Sequence, residues 1–165
     1  MKLGIFAFGK LKTPGLRQAA DYYRGLIRPH VTMEEVELRP VPVPDKNANT
    51  RRQIQEKESA ILTERLGSVL GSRGIFYLLD EGGQGLPTRS WAAMVRDWEQ
   101  SGIPHVAFCV GSSLGFDDQL RRRARKVISL GPQTLPHELA RVVLLEQLYR
   151  AWSVTRGHPY HNEGA

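Results

Sequence analysis

Two runs of this chain, Ile75-Phe76-Tyr77-Leu78-Leu79 and Val106-Ala107-Phe108-Cys109-Val110, are apolar at every position, and each runs straight into a glycine-bearing loop. A strand with one wet face alternates apolar and polar residues. A strand with no polar position has both faces covered, which is the condition of parallel sheets flanked by helices. The two runs therefore predict an α/β domain whose mostly parallel sheet is covered by helices on both faces.

The rest of the chain supplies the alternating elements that such a sheet needs. A strand is expected near 2–8, a helix near 14–27 with Thr13 as N-cap and Pro14 at its first position, and a strand near 34–41. The turn-rich stretch 42–49 leads to a helix near 50–67, and the strand near 75–79 opens into Asp80-Glu81-Gly82-Gly83-Gln84-Gly85. A helix near 88–100, a strand over 104–110, a short helix from Asp117 and a strand over 127–130 follow. With 165 residues and no linker, repeat or low-complexity tract, the chain reads as a single domain, 1–165. That length buries roughly two-thirds of the unfolded surface without covalent staples.

The last helix differs from the others. Pro136 suits a first turn, where its missing N–H is no loss. Leu139, Val142, Val143, Leu144, Leu145, Leu148, Ala151 and Trp152 then cover almost the whole circumference. A helix apolar all round is buried in a core or against a second copy of the chain, so a homodimer with Leu145 and Trp152 near the interface is expected. Glu146 and Arg150, at i,i+4, carry charge into this surround, and His158-Pro159-Tyr160-His161 follows the helix end.

Composition narrows the partners. The net charge is +6, with the excess in Arg121-Arg122-Arg123-Ala124-Arg125-Lys126 and in Lys10, Lys12, Arg17, Arg51 and Arg52, which favours a polyanion, RNA or DNA first. The alternative for each cluster is a solvated basic face. The single cysteine, Cys109, lies inside an apolar run and fits a reduced, cytoplasmic compartment. The apolar start, Met1 to Phe8, is too short for a signal peptide or a membrane span, so no membrane partner is expected.

Loops 80–87, 111–116 and 130–136 all leave the C-terminal ends of strands, the edge at which open α/β sheets bind ligands. Their glycines suit the close approach of a flat, nucleotide-like cofactor. Neither G-x-G-x-x-G nor G-x-x-x-x-G-K-[ST] is present, so a standard dinucleotide site and a P-loop are unsupported. Gly111-Ser112-Ser113-Leu114-Gly115 does match the nucleophile elbow G-x-S-x-G, with Asp117 or Asp118 and His137 following in hydrolase order. Against a serine hydrolase using Ser113, those aspartates fall in the helix just after the serine rather than on a later strand. His158 and His161 lack companion ligands, so no metal site is expected, and His137 is read as satisfying the first turn of its own helix.

Thr134-Leu135-Pro136-His137-Glu138-Leu139-Ala140-Arg141-Val142, then Glu146 to Ser153, then His158-Pro159-Tyr160-His161 resemble the C-terminal signature of the ribosomal large-subunit methyltransferase H family. Lys2-Leu3, Lys46-Asn47-Ala48 and Leu79-Asp80 with Gly83 extend the resemblance over the whole chain. The resemblance implies a SPOUT-like fold with a C-terminal trefoil knot, a homodimer, and transfer of the methyl group of S-adenosylmethionine to N3 of a pseudouridine in 23S rRNA of assembled ribosomes. By position it assigns cofactor contacts to Leu79, Gly111, Leu130, Gly131, Pro132, Gln133, Thr134, Leu135 and Pro136. The chain departs from the usual Gly-Gly-Pro-x-Gly at Gly111-Ser112-Ser113-Leu114-Gly115, and from Ser-Leu-Ser-x-Met/Leu-Thr at Ser129 to Thr134.

The reaction so implied needs no metal, because the sulfonium is already an activated leaving group. It does need help at the nucleophile, whose imide-like N–H must lose a proton. His161 is the candidate base or proton relay, Arg150 the cation for developing charge or phosphate, and Tyr160 the residue that positions or stacks on the base. The rival reading from another class is a non-catalytic ribosome- or RNA-binding protein of the same fold.

Overall fold

The computed structural model describes residues 1–161; the end of the expected domain, 162–165, lies outside the described residues. The elements are β1 (Lys2–Phe8), α1 (Pro14–Ile27), β2 (Thr32–Leu38), α2 (Ala48–Leu70), β3 (Ile75–Gly85), α3 (Thr88–Gln100), β4 (His105–Val110), α4 (Asp118–Arg123), β5 (Lys126–Ser129) and α5 (His137–Thr155). The strands form one sheet in the order β2-β1-β4-β3-β5, and every pairing is parallel.

The apolar runs have the burial that their composition requires. Along a strand successive side chains point to opposite faces. Leu3, Ile5, Ala7, Tyr77, Leu79, Val106, Phe108 and Val110 meet α1, α3 and α5 on one side. Phe6, Phe8, Phe76, Leu78, Ala107 and Cys109 meet α2 and α4 on the other. Cys109 has no exposed surface and burial pushes its thiol pKa upward, so it is core rather than nucleophile.

Three local expectations need correction. Thr13 does not cap α1 with its side chain; its N–H and hydroxyl both donate to Glu138, at 2.9 Å each, and Lys12 N–H joins them at 2.7 Å. A carboxylate on the first turn of α5 thus replaces a local cap. Leu130 belongs to the exit loop, since β5 ends at Ser129. Finally, β3 runs on through the glycine loop: Ile128 pairs with both Leu79 and Gln84, so residues 80–83 bulge around it. Gly83 makes this passage possible, because a Cβ there would stand 2.8 Å from the backbone of Val127.

α5 packs against α1 and α3. Leu144, Leu145, Leu148, Ala151 and Trp152 are buried, whereas Leu139, Val142, Val143, Glu146, Gln147 and Arg150 form a half-buried stripe at i, i+3, i+4 spacing. Leu145 and Trp152, expected near a dimer interface, instead face the chain's own core, at 3% and 0% exposure. The charge that α5 takes deepest is Arg141, 1% exposed, paired with Glu35 and, at 2.8 Å, with Glu37 on the edge strand β2. Burial and the nearby Arg17 and Arg24 lower its pKa to about 10. Two carboxylates beside it are what make a buried guanidinium tolerable.

Candidate functional site

At the C-terminal edge of the sheet the bulge of β3 and the loops after β4 and β5 enclose a cavity of about 740 Å³, within the usual range for sites that take a small ligand or cofactor. Leu79, Val110, Leu114, Leu130, Leu135, Pro136 and Ala140 give it an apolar wall, and Asp80 and Glu81 add carboxylates. Every residue that the resemblance assigned to cofactor lines this cavity except Pro132, which points to solvent. The loops have defined shapes. Ser129 Oγ accepts the Gly131 N–H at 3.0 Å and donates to the Gly131 carbonyl at 2.6 Å, while Gly131 itself has φ +141°, open to glycine and strained for other residues. Thr134 Oγ1 donates to Glu81 at 2.5 Å, tying the loop after β5 to the bulge of β3. Asp80 accepts the Gly82 N–H at 2.9 Å and pairs with Arg121 at 3.4 Å, so one arginine of the basic run is held by a cavity carboxylate; Arg122 and Arg123 are exposed.

S-adenosylmethionine fits this donor set. A flat adenine suits an apolar slot whose walls are leucines and unencumbered backbone, and a sulfonium or ammonium suits the carboxylates at its rim.

The serine-hydrolase geometry is not assembled. Ser113 and His137 both line the cavity, but the Asp117 carboxylate accepts the Leu120 N–H at 2.8 Å as the N-cap of α4. His137 does not cap α5 either. Its ring lies against Gly9, where a Cβ would come within 3.0 Å, and its Nδ1 is buried with no hydrogen-bond partner among the described residues. Arg141 and Glu138, which lock the β1–α1 loop onto α5 beside it, were not singled out from the sequence; an arginine inside a helical apolar run was the available signal.

Arg150, Tyr160 and His161 do come together. Arg150 donates to Glu146 at 2.9 Å through Nε, its guanidinium lies 4.7 Å from the centre of the Tyr160 ring, and it reaches His161 Nδ1 at 3.2 Å. Tyr160 donates its hydroxyl to Glu146 at 3.1 Å and meets Tyr149 edge-on with ring centres 4.7 Å apart. Burial, with Tyr23 and Glu146 near, pushes the Tyr160 phenol above its ordinary range and keeps it a donor; the hydrogen bond to Glu146 raises Arg150. A guanidinium only donates, so Nδ1 of His161 accepts here. None of the three lines the cavity. They sit at the far end of α5 from His137, about 20 Å away at 1.5 Å rise per residue.

A parallel sheet flanked by helices, with its cavity at the strand ends beside a long C-terminal helix, defines an α/β domain built to take a small ligand at that edge. Over residues 1–161 the chain matches the family described as Predicted SPOUT methyltransferase, and it belongs to that family. Its relatives include proteins named ribosomal RNA large subunit methyltransferase H. The one from Desulfovibrio desulfuricans is 40% identical over 164 residues, covering 97% of each chain. That from Solidesulfovibrio magneticus is 38% identical over 160 residues, covering 97% of this chain and 98% of the relative. That from Geobacter sulfurreducens is 34% identical over 162 residues, covering 98% and 100%. Among the described residues no cluster of metal-ligating side chains occurs, and no helix is long and apolar enough to cross a membrane.

Proposed function

We propose that this protein is a large-subunit ribosomal RNA methyltransferase of the cytoplasm that takes its methyl group from S-adenosylmethionine and delivers it to N3 of a pseudouridine in the 23S rRNA of assembled ribosomes. The observation that carries the proposal is the cavity: Leu79, Gly111 and the 130–136 loop, set far apart in sequence, wall one space at the strand ends. S-adenosylmethionine supplies an electrophilic methyl on a positively charged sulfur.

The chain's own residues do the rest. The backbone of 111–115 and 130–136 holds the cofactor's flat end, and Asp80 and Glu81 face its positive end. Arg150 balances the charge that develops when the base loses its proton, and Tyr160 orients the base. His161 takes up the proton as Arg150 turns from its Nδ1 to the substrate. The separation of the tail from the cavity along one helix points to a homodimer. If two chains pack antiparallel through the stripe Leu139, Val142 and Val143, the tail of one protomer meets the cavity of its partner. The trefoil knot belongs to the same reading, as what the family resemblance implies.

Calorimetric titration tests the cofactor half. S-adenosylmethionine or S-adenosylhomocysteine binds without added metal, and Gly111→Val, which drives a branched side chain against Phe116, 3.0 Å from even a Cβ, weakens binding about tenfold or more. No heat at millimolar ligand overturns the reading.

A further inference from the structure

The loop after β4 is gripped from behind by one face of α2. Gln55 Nε2 donates to the Leu114 carbonyl at 2.8 Å, Ser112 Oγ donates to Glu58 Oε1 at 2.5 Å, and the Asp117 N–H donates to Ser59 Oγ at 3.0 Å. Residues 55, 58 and 59 share one helix face. The middle contact is the unusual one. Glu58 is 2% exposed and its other oxygen accepts the Val41 N–H at 3.0 Å, yet among the described residues it has no ion-pair partner. A buried carboxylate with no cation is costly in a place where an apolar side chain would pack for less, unless its hydrogen bonds are put to use.

Those bonds go to the cavity wall. Ser112 stands where the resembling family carries glycine, and its hydroxyl both donates to Glu58 and accepts the Leu114 N–H at 3.3 Å. The side chain that departs from the family pattern is therefore turned to the back of the loop. It fixes the backbone that a glycine would leave free. Ser112 and Leu114 line the cavity, whereas Glu58 does not.

We propose that Glu58, acting through the Ser112 hydroxyl, is a positioning residue that holds the 111–117 loop in its ligand-binding shape; the inference rests on the reading of the cavity as the S-adenosylmethionine site. The hydrogen bond is charge-assisted and shielded from water, so its loss is felt in the geometry of the loop.

The test combines three readouts on the full chain: S-adenosylhomocysteine affinity by calorimetry, amide hydrogen exchange across 111–117 in the ligand-free protein, and melting temperature. Glu58→Ala and Ser112→Ala each weaken binding about tenfold and speed exchange at Leu114 more than in the core strands. The double variant loses clearly less than the two single losses multiplied together, because both singles remove the shared Ser112–Glu58 bond. Glu58→Gln retains affinity within about threefold, since its carbonyl still accepts from Val41 and its N–H can donate to the serine oxygen. Losses that multiply in the double variant overturn the proposal, as does unchanged loop exchange, or exchange that rises equally through the core. Should Glu58→Ala not fold, Ser112→Ala against Glu58→Gln decides it by the same criteria. A parent protein that binds no S-adenosylhomocysteine refutes the cofactor reading instead, and the exchange data still judge whether Glu58 positions the loop.

Discussion

Glu138 shows how a single residue links chain segments that are far apart in sequence. Its carboxylate receives the N–H of Lys12 and of Thr13 and the Thr13 hydroxyl, and these bonds, led by the Thr13 N–H, hold its pKa below the usual glutamate range. A carboxyl depressed in the folded state stabilises the fold above the unfolded pKa, about 4.3, and loses that contribution as pH falls through the folded value. Glu138→Gln, with one oxygen for three donors, therefore lowers the melting temperature at pH 7, and the gap from the parent closes below about pH 4. A gap independent of pH between 3 and 7 contradicts this, and melting curves measured across that range decide it. Residues of this kind were the least legible in the sequence. Thr13 reads as a helix cap and Glu138 carries no signal of its own, because local patterns cannot report a bond between positions 13 and 138. Arg141 was hidden for the same reason: its partners Glu35 and Glu37 lie on another element.

Elements were far more legible, because periodicity is local. The runs 75–79 and 106–110 named the central strands and their two-sided burial, and α1 and α3 occupy the helices expected near 14–27 and 88–100. The cavity loops could be found because glycine follows a strand in each. What the pattern could not settle was direction around α5. A helix apolar all round has no preferred face, so Leu145 and Trp152, read as interface, turned inward, and the milder residues Leu139, Val142 and Val143 were left outside. The tail after α5 was legible only as a cluster of side-chain types. Its contacts, Arg150 over Tyr160 and Tyr160 to Glu146, make it a folded unit. Arg150→Ala, Tyr160→Phe and His161→Ala are accordingly expected to reduce methyl transfer, about 100-fold for His161→Ala if it serves as base, while cofactor affinity stays within about twofold. Parallel losses in both quantities would show that the tail supports the fold rather than the chemistry.

For the molecule as a whole, one helix both finishes the core and spans the distance between the cavity and the tail. A monomer in which the two lie about 20 Å apart has no complete site, so the reading requires two copies. Sedimentation at micromolar concentration is expected to give a dimer, and Val142→Glu or Val143→Glu a folded monomer that still binds S-adenosylhomocysteine but transfers no methyl. A monomeric parent protein that is nonetheless active would refute the two-chain site. The sequence gives no direct sign of this division, because distance between sites appears only once the helix is placed.

Methyl transfer to ribosomal RNA is read out by a single-turnover experiment. Ribosomes from a strain lacking the modification are mixed with excess enzyme and S-adenosylmethionine labelled in its methyl group, and the labelled RNA is digested and separated. One labelled nucleotide is expected, N3-methylpseudouridine from the 23S rRNA, formed without added metal, about 100-fold more slowly in His161→Ala and not at all in Val142→Glu. Label absent from RNA, or spread over many nucleotides of unrelated RNAs, would contradict it.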